Sequence, residues 1–173
     1  MSKLYLVRHG ETEWNRQQRS QGCSNDIPLS EVGIKQAEAV SAKLKYEKID
    51  ATFSSDLVRA YETARIIARP HNIPVNRFEE LREMNLGKWE GLCFSQINEQ
   101  YREELKIWEE TPHLAKIPGG ENIVGLRERS MKKLMEIIKT YENKNILIVS
   151  HGITIKVMLA SIMGIDLCNL HKI

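Results

Sequence analysis

Residues 4–15 read LYLVRHGETEWN, and this stretch decides how the rest of the chain is interpreted. It opens as a short apolar run rich in Leu and Val, which is typical of a buried strand. The run ends at Arg8, His9 and Gly10, which places an arginine and an imidazole at the carboxyl end of that strand, just before a turn. In open α/β sheets, ligands bind at this edge. The residue types suit phosphate, because a guanidinium offers a fixed fork of donors and a neutral imidazole is a nucleophile.

The same pattern returns near the end of the chain. Residues 146–149 form a second apolar run, ILIV, which ends in Ser150, His151 and Gly152. If the two strands are neighbours in one parallel sheet, both imidazoles meet at one edge. A single histidine at a strand end is more often bonded to a carbonyl group and has no further role. Two histidines in matched contexts, one preceded by Arg8, favour a functional site.

Composition narrows the class of protein. The chain has 173 residues, enough for one domain with a sizeable core. Its 25 basic and 23 acidic residues give a net charge of +2, which argues against a general nucleic-acid or membrane surface and confines any attraction for anions to a local site. Three scattered cysteines without metal spacing favour a reducing cytoplasm. We expect no signal peptide, and no apolar run approaches the roughly 20 residues of a membrane span.

Amphipathic helices are predicted to separate the strands. Ser30 is placed to cap the first helix, and apolar residues recur on that helix at a spacing typical of a buried face. These residues are Ile34, Ala37, Val40 and Leu44. A longer helix precedes the 146–149 strand, and its apolar positions are Val124, Met131, Leu134, Ile138 and Tyr141. A last helix is predicted over 153–163, and further short strands at 51–53 and just after Pro74.

Arg59 lies in the first turn of a predicted helix that follows the 51–53 strand and that residues 54–56 are placed to cap. A cation at a helix N-terminus works against the helix dipole unless an anion sits opposite. An exposed arginine on a surface helix is the common explanation for an isolated case. The strand, the cap and the position at the carboxyl edge of the sheet favour phosphate binding instead.

Glu83 brings a carboxyl group into the apolar, glycine-punctuated segment LREMNLG at residues 81–87. Burial favours the protonated form of a carboxyl group, so a glutamate there can donate a proton near neutral pH. The plainer alternative is a surface ion pair with Arg82.

A polar loop over residues 15–28 follows the first strand and is expected to lie over the site. Its Asn15 and Gln21 can each donate an amide N–H to a phosphate oxygen. Residues 16–19 are interpreted as a solvated surface.

Residues 93–121 are interpreted as an excursion from the core, with a helix over 97–108 and a turn at 118–120. This segment packs on the core or covers the site as a lid, and both can hold at once. Four apolar side chains are candidates for a pocket beside the phosphate. They are Trp89, Phe94, Trp108 and Leu114.

Six motifs, in order along the chain, resemble the signature of the histidine phosphatase superfamily in its phosphoglycerate-mutase-like branch. They read LVRHGET at 6–12, WN at 14–15, SSDLxRAxxTA at 54–64, LREMxxGxWEG at 81–91, PGGE at 118–121 and SHG at 150–152. The ordered set covers nearly the whole chain and is very specific.

The fold we expect is a single three-layer α/β domain over residues 1–173, with a mostly parallel sheet, helices on both faces and a small helical lid at about 93–121. The resemblance implies that His9 forms a phosphohistidine, with its other ring nitrogen held by a backbone carbonyl, and that Glu83 donates a proton. The residues expected to bind the phosphoryl group are Arg8, Asn15, Gln21, Arg59, His151 and Gly152. Arg8, Arg59 and His151 are expected to act as three cations, so no metal and no other cofactor is expected.

The expected reaction is hydrolysis of a small-molecule phosphomonoester, and we expect the protein to be cytoplasmic. Neither nucleic acid nor a membrane is expected as a partner, and the oligomeric state stays open. A phosphoglycerate mutase is one alternative, although the short insertion counts against it. A catalytically silent phosphate-binding module is another, although the complete residue set counts against it. Broad specificity and dedication to α-ribazole 5′-phosphate both remain open. Relatives usually continue into a further strand, so we expect a truncated chain or an uncovered sheet edge.

Overall fold

A four-stranded parallel sheet forms the centre of the computed structural model, which describes residues 3–173. The strands are β1 (Lys3–Arg8), β2 (Ala51–Ser55), β3 (Val75–Phe78) and β4 (Asn145–Ser150). Their spatial order is β1-β4-β2-β3. Strand β4 is interior, and its aliphatic residues 146–149 are fully buried, as a parallel strand covered on both faces requires.

Helices cover both faces of this sheet, which confirms the predicted α/β architecture. Helices α2 (Glu31–Leu44) and α3 (Val58–Ala68) pack on one face, and α6 (Ile123–Thr140) and α7 (Gly152–Met163) pack on the other. The one-turn helix α1 (Glu13–Arg16) follows β1. Short 3₁₀ turns connect the larger elements, at Arg69–His71, Glu79–Leu81, Gly87–Trp89, Pro112–Leu114 and Leu167–Lys172.

The first strand lies at the edge of the sheet and is less buried than predicted. Strand β1 pairs with β4, and its residues are half-buried or exposed. Leu4 and Leu6 pack toward one face while Tyr5 and Val7 pack toward the other, which explains the continuous apolar run without full burial. The register pairs Arg8 with Ser150. His9 and His151 come next in the chain and therefore lie side by side at the carboxyl ends of β1 and β4.

The predicted buried face of α2 is wrong at Ile34, which is 41% exposed. Gly33 is buried instead, and it packs against the turn that follows β1. A Cβ on Gly33 would lie 2.1 Å from the carbonyl oxygen of Glu11, and one on Gly10 would lie 2.4 Å from the carbonyl oxygen of Gly33. Two glycines therefore allow the backbone of α2 to approach the His9–Glu11 turn. In α6 the prediction fails at Val124, which is 37% exposed because Ile123 takes the buried position.

The insertion at 93–121 contains two helices rather than the one predicted over 97–108. Helix α4 (Phe94–Gln100) and helix α5 (Arg102–Glu110) are separated at Tyr101, whose φ of −137° and ψ of 43° are not helical. Ile97, Leu105 and Ile117 pack with residues of α6 and α7 in one apolar cluster. The insertion is thus attached to the core, as one of the two interpretations expected.

Candidate active site

His9 lies at the carboxyl edge of the sheet, only 8% exposed. Its Nδ1 lies 2.7 Å from the carbonyl oxygen of Gly10. Since a carbonyl only accepts, Nδ1 carries the proton and Nε2 keeps its lone pair. Burial, followed by the charges of Arg59 and Arg8, lowers the pKa of His9 to about 3, against an opposing contribution from the Gly10 bond. The ring is therefore neutral near pH 7, the state that a nucleophile needs.

Thr63 of α3 fixes the turn that carries His9. Its hydroxyl oxygen accepts a hydrogen bond from the backbone N–H of Gly10 at 3.0 Å and donates to the carbonyl of Arg59 at 2.8 Å. One buried side chain thus couples the His9 turn to the helical turn that carries Arg59.

His151 lies against His9 and is fully buried, at the N-cap of α7. The two ring centroids are 5.1 Å apart. Neither ring nitrogen of His151 has a hydrogen-bond partner among residues 3–173, and buried nitrogens without a partner call for a ligand or water. Burial, reinforced by Arg59 and His9, holds the pKa of His151 well below its usual 6.5. This shift favours a neutral ring, whereas the sequence led us to expect His151 to act as a third cation.

Arg59 is fully buried, although it belongs to the first turn of α3. Its Nη2 donates to the carbonyl of Gly22 at 2.6 Å and its Nη1 to that of Asn25 at 3.4 Å. Its Nε has no partner within the described chain, so N–H donors remain for an anion. Burial lowers the pKa of Arg59, but a guanidinium stays charged in proteins.

The predicted cap of α3 is wrong. The N-cap residue is Leu57, which has no side chain able to cap. The carboxylate of Asp26, from the 15–28 loop, instead accepts a hydrogen bond from the N–H of Val58 at 2.7 Å. Ser55 accepts from the N–H of Leu57, and Asp56 pairs with Arg82.

Arg8 and Gly152 lie close together at the carboxyl ends of β1 and β4. Arg8 is exposed and lines the cavity beside His9. A Cβ on Gly152 would lie 3.6 Å from Arg8 Nε and 3.8 Å from Glu83 Oε2. The guanidinium of Arg8 and the carboxylate of Glu83 therefore both approach the place that a side chain at position 152 would occupy.

Asn15 and Gln21 both line the cavity, and both amide oxygens are held by Thr12. The Asn15 oxygen accepts from the backbone N–H of Thr12 at 3.1 Å, and the Gln21 oxygen accepts from the Thr12 hydroxyl at 2.9 Å. Fixing the oxygens leaves the amide N–H groups for an anion. Thr12 is fully buried, and its part in the site was not predicted from the sequence.

Glu83 is buried, 9% exposed, and does not pair with Arg82. Its Oε1 accepts from the N–H groups of Met84 at 2.9 Å and Thr154 at 3.2 Å. Its Oε2 accepts from the N–H of Ile153 at 3.1 Å. The N-terminus of α7 thus holds the carboxylate at the wall of the cavity.

A cavity of about 770 Å³ joins these groups. It is lined by seven of the eight residues predicted for the site, and the eighth, His151, contacts the ring of His9. Beyond the polar end the wall is mainly apolar. It includes Leu86, Trp89, Phe94, Ile97, Leu105, Trp108 and Leu170. Leu114 was predicted here wrongly, because it is 61% exposed and lies outside the cavity lining.

The cavity is also lined by charged side chains that were not predicted from the sequence. Lys156 of α7 and Glu109 of α5 line it. Arg19, interpreted from the sequence as part of a solvated surface, lines it as well. Within residues 3–173, no group of three or more His, Cys, Asp or Glu side chains is arranged to ligate a metal ion. No helix in that range is both long and apolar enough to cross a membrane.

A neutral histidine, two guanidinium groups and a carboxylate at the carboxyl ends of parallel strands are suited to phosphoryl transfer. The chain belongs to the histidine phosphatase superfamily, branch 1, whose family model matches residues 4–173. It is thus an enzyme of the phosphatase class, and the resemblance seen in the sequence is confirmed.

The names of individual relatives include both a phosphatase and a mutase. Phosphoserine phosphatase 1 of Hydrogenobacter thermophilus is 37% identical over 167 residues, which cover 96% of this chain and 79% of that protein. The probable phosphoglycerate mutase GpmB of Proteus mirabilis is 38% identical over 166 residues, covering 95% of this chain and 76% of that protein. The solved structure of Bacillus stearothermophilus YhfR matches with a TM-score of 0.93 at 34% identity, covering 98% of this chain and 84% of that one.

Proposed function

We propose that this protein hydrolyses a small-molecule phosphomonoester through a phosphohistidine on His9, without a metal ion. The observation that carries the proposal is the hydrogen bond from His9 Nδ1 to the Gly10 carbonyl. It leaves the Nε2 lone pair on a neutral ring beside two guanidinium groups.

In the first step, the Nε2 lone pair attacks phosphorus and the ester P–O bond breaks. Glu83, protonated for this step, gives its proton to the leaving oxygen. Arg8 and Arg59 bind the phosphoryl oxygens while charge spreads over them in the transition state. Asn15 and Gln21 donate amide N–H groups, and His151 donates a ring N–H.

In the second step, Glu83 has become a carboxylate and takes a proton from water. The hydroxide oxygen bonds to phosphorus and the P–N bond breaks. Inorganic phosphate leaves, and the neutral His9 is restored with its Nδ1 proton still bonded to Gly10. The protein returns to its starting protonation state, so the cycle needs no further reactant.

The leaving group of the substrate is the part that meets the apolar wall. Trp89, Phe94 and Trp108 line this end of the cavity, and small-molecule sites combine such surfaces with a few polar groups. We infer that esters with bulky or aromatic leaving groups are preferred over small polar sugar phosphates. α-Ribazole 5′-phosphate and phosphoserine belong in the same panel, the second because a relative is named for it.

A phosphoglycerate mutase is the rival activity, because the Proteus mirabilis relative carries that name. A mutase returns the phosphoryl group to its substrate instead of to water. Arg19 and Lys156 line the cavity in addition to Arg8 and Arg59, but its wall is mainly apolar, which supports the phosphatase.

The experiment is release of inorganic phosphate from a panel of phosphomonoesters by the wild type and by His9→Ala. Release by the wild type and none by His9→Ala are expected. A wild type that binds phosphate but releases none from any ester would identify a silent binding module and contradict the proposal.

A further inference from the structure

Arg129 of α6 commits all five of its N–H donors to one loop and one carboxylate. Its Nη1 donates to the carbonyl oxygens of Glu80 at 2.8 Å and Arg82 at 3.0 Å. Its Nη2 donates to the carbonyl of Glu83 at 3.0 Å and to Glu121 Oε2 at 2.9 Å. Its Nε donates to Glu121 Oε1 at 2.7 Å. A guanidinium has five such donors in a planar fork, so no donor is left over.

Glu121 holds the same loop farther along. Its Oε2 also accepts from the backbone N–H of Asn85 at 3.3 Å, and its own N–H donates to the Asn85 carbonyl at 2.8 Å. The turn before it is pressed against this segment, because a Cβ on Gly120 would lie 2.7 Å from the Asn85 carbonyl oxygen. The backbone on both sides of Glu83 is thus fixed by residues far away in sequence.

We call Arg129 and Glu121, with the backbone groups that they bind, the brace. The carboxylate of Glu83 is linked to this brace through Thr154. The Thr154 hydroxyl lies 2.9 Å from the Arg82 carbonyl oxygen and 3.1 Å from Glu83 Oε1. The carbonyl that Arg129 binds is therefore one hydroxyl away from the carboxylate. Helix α6 fixes the backbone of Glu83, and helix α7 fixes its carboxylate.

We propose that Arg129 and Glu121 are positioning residues for proton transfer, holding Glu83 where it can protonate the leaving oxygen. This inference rests on the proposed function, in which Glu83 is the proton donor. Neither residue lines the cavity, so both act through Glu83 rather than on the substrate. A misplacement of about 1 Å at a reacting group costs on the order of 100-fold in rate.

The test uses Arg129→Lys, which keeps the charge but cannot reproduce a planar five-donor fork. The measurement is kcat/KM for an alkyl phosphate, whose leaving oxygen needs a proton, and for p-nitrophenyl phosphate, whose leaving group departs without one. For each ester, kcat/KM reports the steps up to and including cleavage of the ester bond. We expect Arg129→Lys to lower kcat/KM on the order of 100-fold for the alkyl ester and by less than about 3-fold for the nitrophenyl ester. Arg127→Lys, on the same helix and exposed, is the matched control and should change neither.

A second pair of variants keeps the test decisive if Arg129→Lys does not fold. Glu121→Gln should give the same preference for the nitrophenyl ester. In a Glu83→Gln background, adding Glu121→Gln should produce no further loss on the alkyl ester, because both changes act through one group. Purely structural damage would instead lower kcat/KM equally for both esters.

The outcomes separate this inference from the proposed function. If Glu83→Gln discriminates between the esters and the Arg129 and Glu121 variants do not, the brace is contradicted and the proton donor stands. Losses that add to those of Glu83→Gln would also contradict the brace. If Glu83→Gln itself affects both esters equally, the proton-donor role fails, and the brace fails with it.

Discussion

The rings of His9 and His151 lie 5.1 Å apart between centroids and are tilted by 58° to each other. The pairing of Arg8 with Ser150 in adjacent parallel strands produces this contact. The Nδ1 proton of His9 is fixed by the Gly10 carbonyl, whereas neither nitrogen of His151 has a partner in the described chain. Two histidines that look alike in sequence therefore differ in their hydrogen bonding: the tautomer of His9 is fixed by a carbonyl group, and that of His151 is not.

Metal removal should leave the activity intact. The proposed transition state is stabilised by Arg8 and Arg59, without any metal ion. Phosphate release from an aryl phosphate should be unchanged after exhaustive treatment with a chelator. Loss of activity on chelation, restored by a divalent cation, would contradict the mechanism.

Stability should fall as the pH drops from 7 to 5, in part because of His9. Its pKa is about 3 when folded and about 6.5 as an ordinary histidine, so the unfolded chain binds the proton first. This one group should remove about 2 kcal/mol of the free energy of unfolding between pH 7 and pH 5. The burial of His151 acts in the same direction.

The measurement is chemical denaturation at both pH values for the wild type and His9→Asn, in which the titrating ring is absent. The wild type should lose more stability than His9→Asn. Equal losses would show that His9 titrates normally in the folded protein.

Phe94→Ala should weaken the binding of aromatic substrates selectively. Phe94 lines the cavity yet is 59% exposed, so its removal should cost the fold little. KM for an aryl phosphate should rise several-fold while KM for a small sugar phosphate stays the same. Leu114→Ala is the matched control, because Leu114 is an equally exposed apolar residue of the insertion outside the cavity lining. Equal effects of the two variants on KM would contradict a contact between Phe94 and the aryl group of the substrate.

Bisphosphoglycerate should neither be required for activity nor stimulate it. The apolar wall offers little to hold a second phosphoryl group. With 3-phosphoglycerate as substrate, phosphate release should exceed formation of 2-phosphoglycerate. The reverse ratio would place the chain among the mutases.

The strand ends and the spacing of residue types within the motifs were enough to predict most of the residues that line the cavity. An apolar run followed by Arg-His-Gly or Ser-His-Gly can be read locally, so the meeting of His9 and His151 followed once the strands were placed side by side. Arg59 was found through its conflict with the helix dipole. Glu83 was found because its segment is apolar and glycine-punctuated.

The features that the sequence did not predict depend on contacts between distant segments. Asp26 caps α3 from 32 residues away, and no local pattern signals that bond. Arg129 binds carbonyl groups 46 to 49 residues earlier in the chain, and carbonyls are the same for every residue type. Leu114 and Ile34 have apolar side chains that helical spacing alone could not place.

The most direct test of the account is to trap the phosphoenzyme and locate the phosphate. Labelled substrate is mixed with the wild type, His9→Ala and His151→Ala, quenched rapidly, and mapped by peptide analysis. We expect an acid-labile, base-stable label on His9 in the wild type, no label in His9→Ala, and slower labelling of His9 in His151→Ala, on the order of 100- to 1,000-fold for the loss of one stabilising donor. Label on His151 in the wild type, or a phosphoenzyme in His9→Ala, would contradict the account.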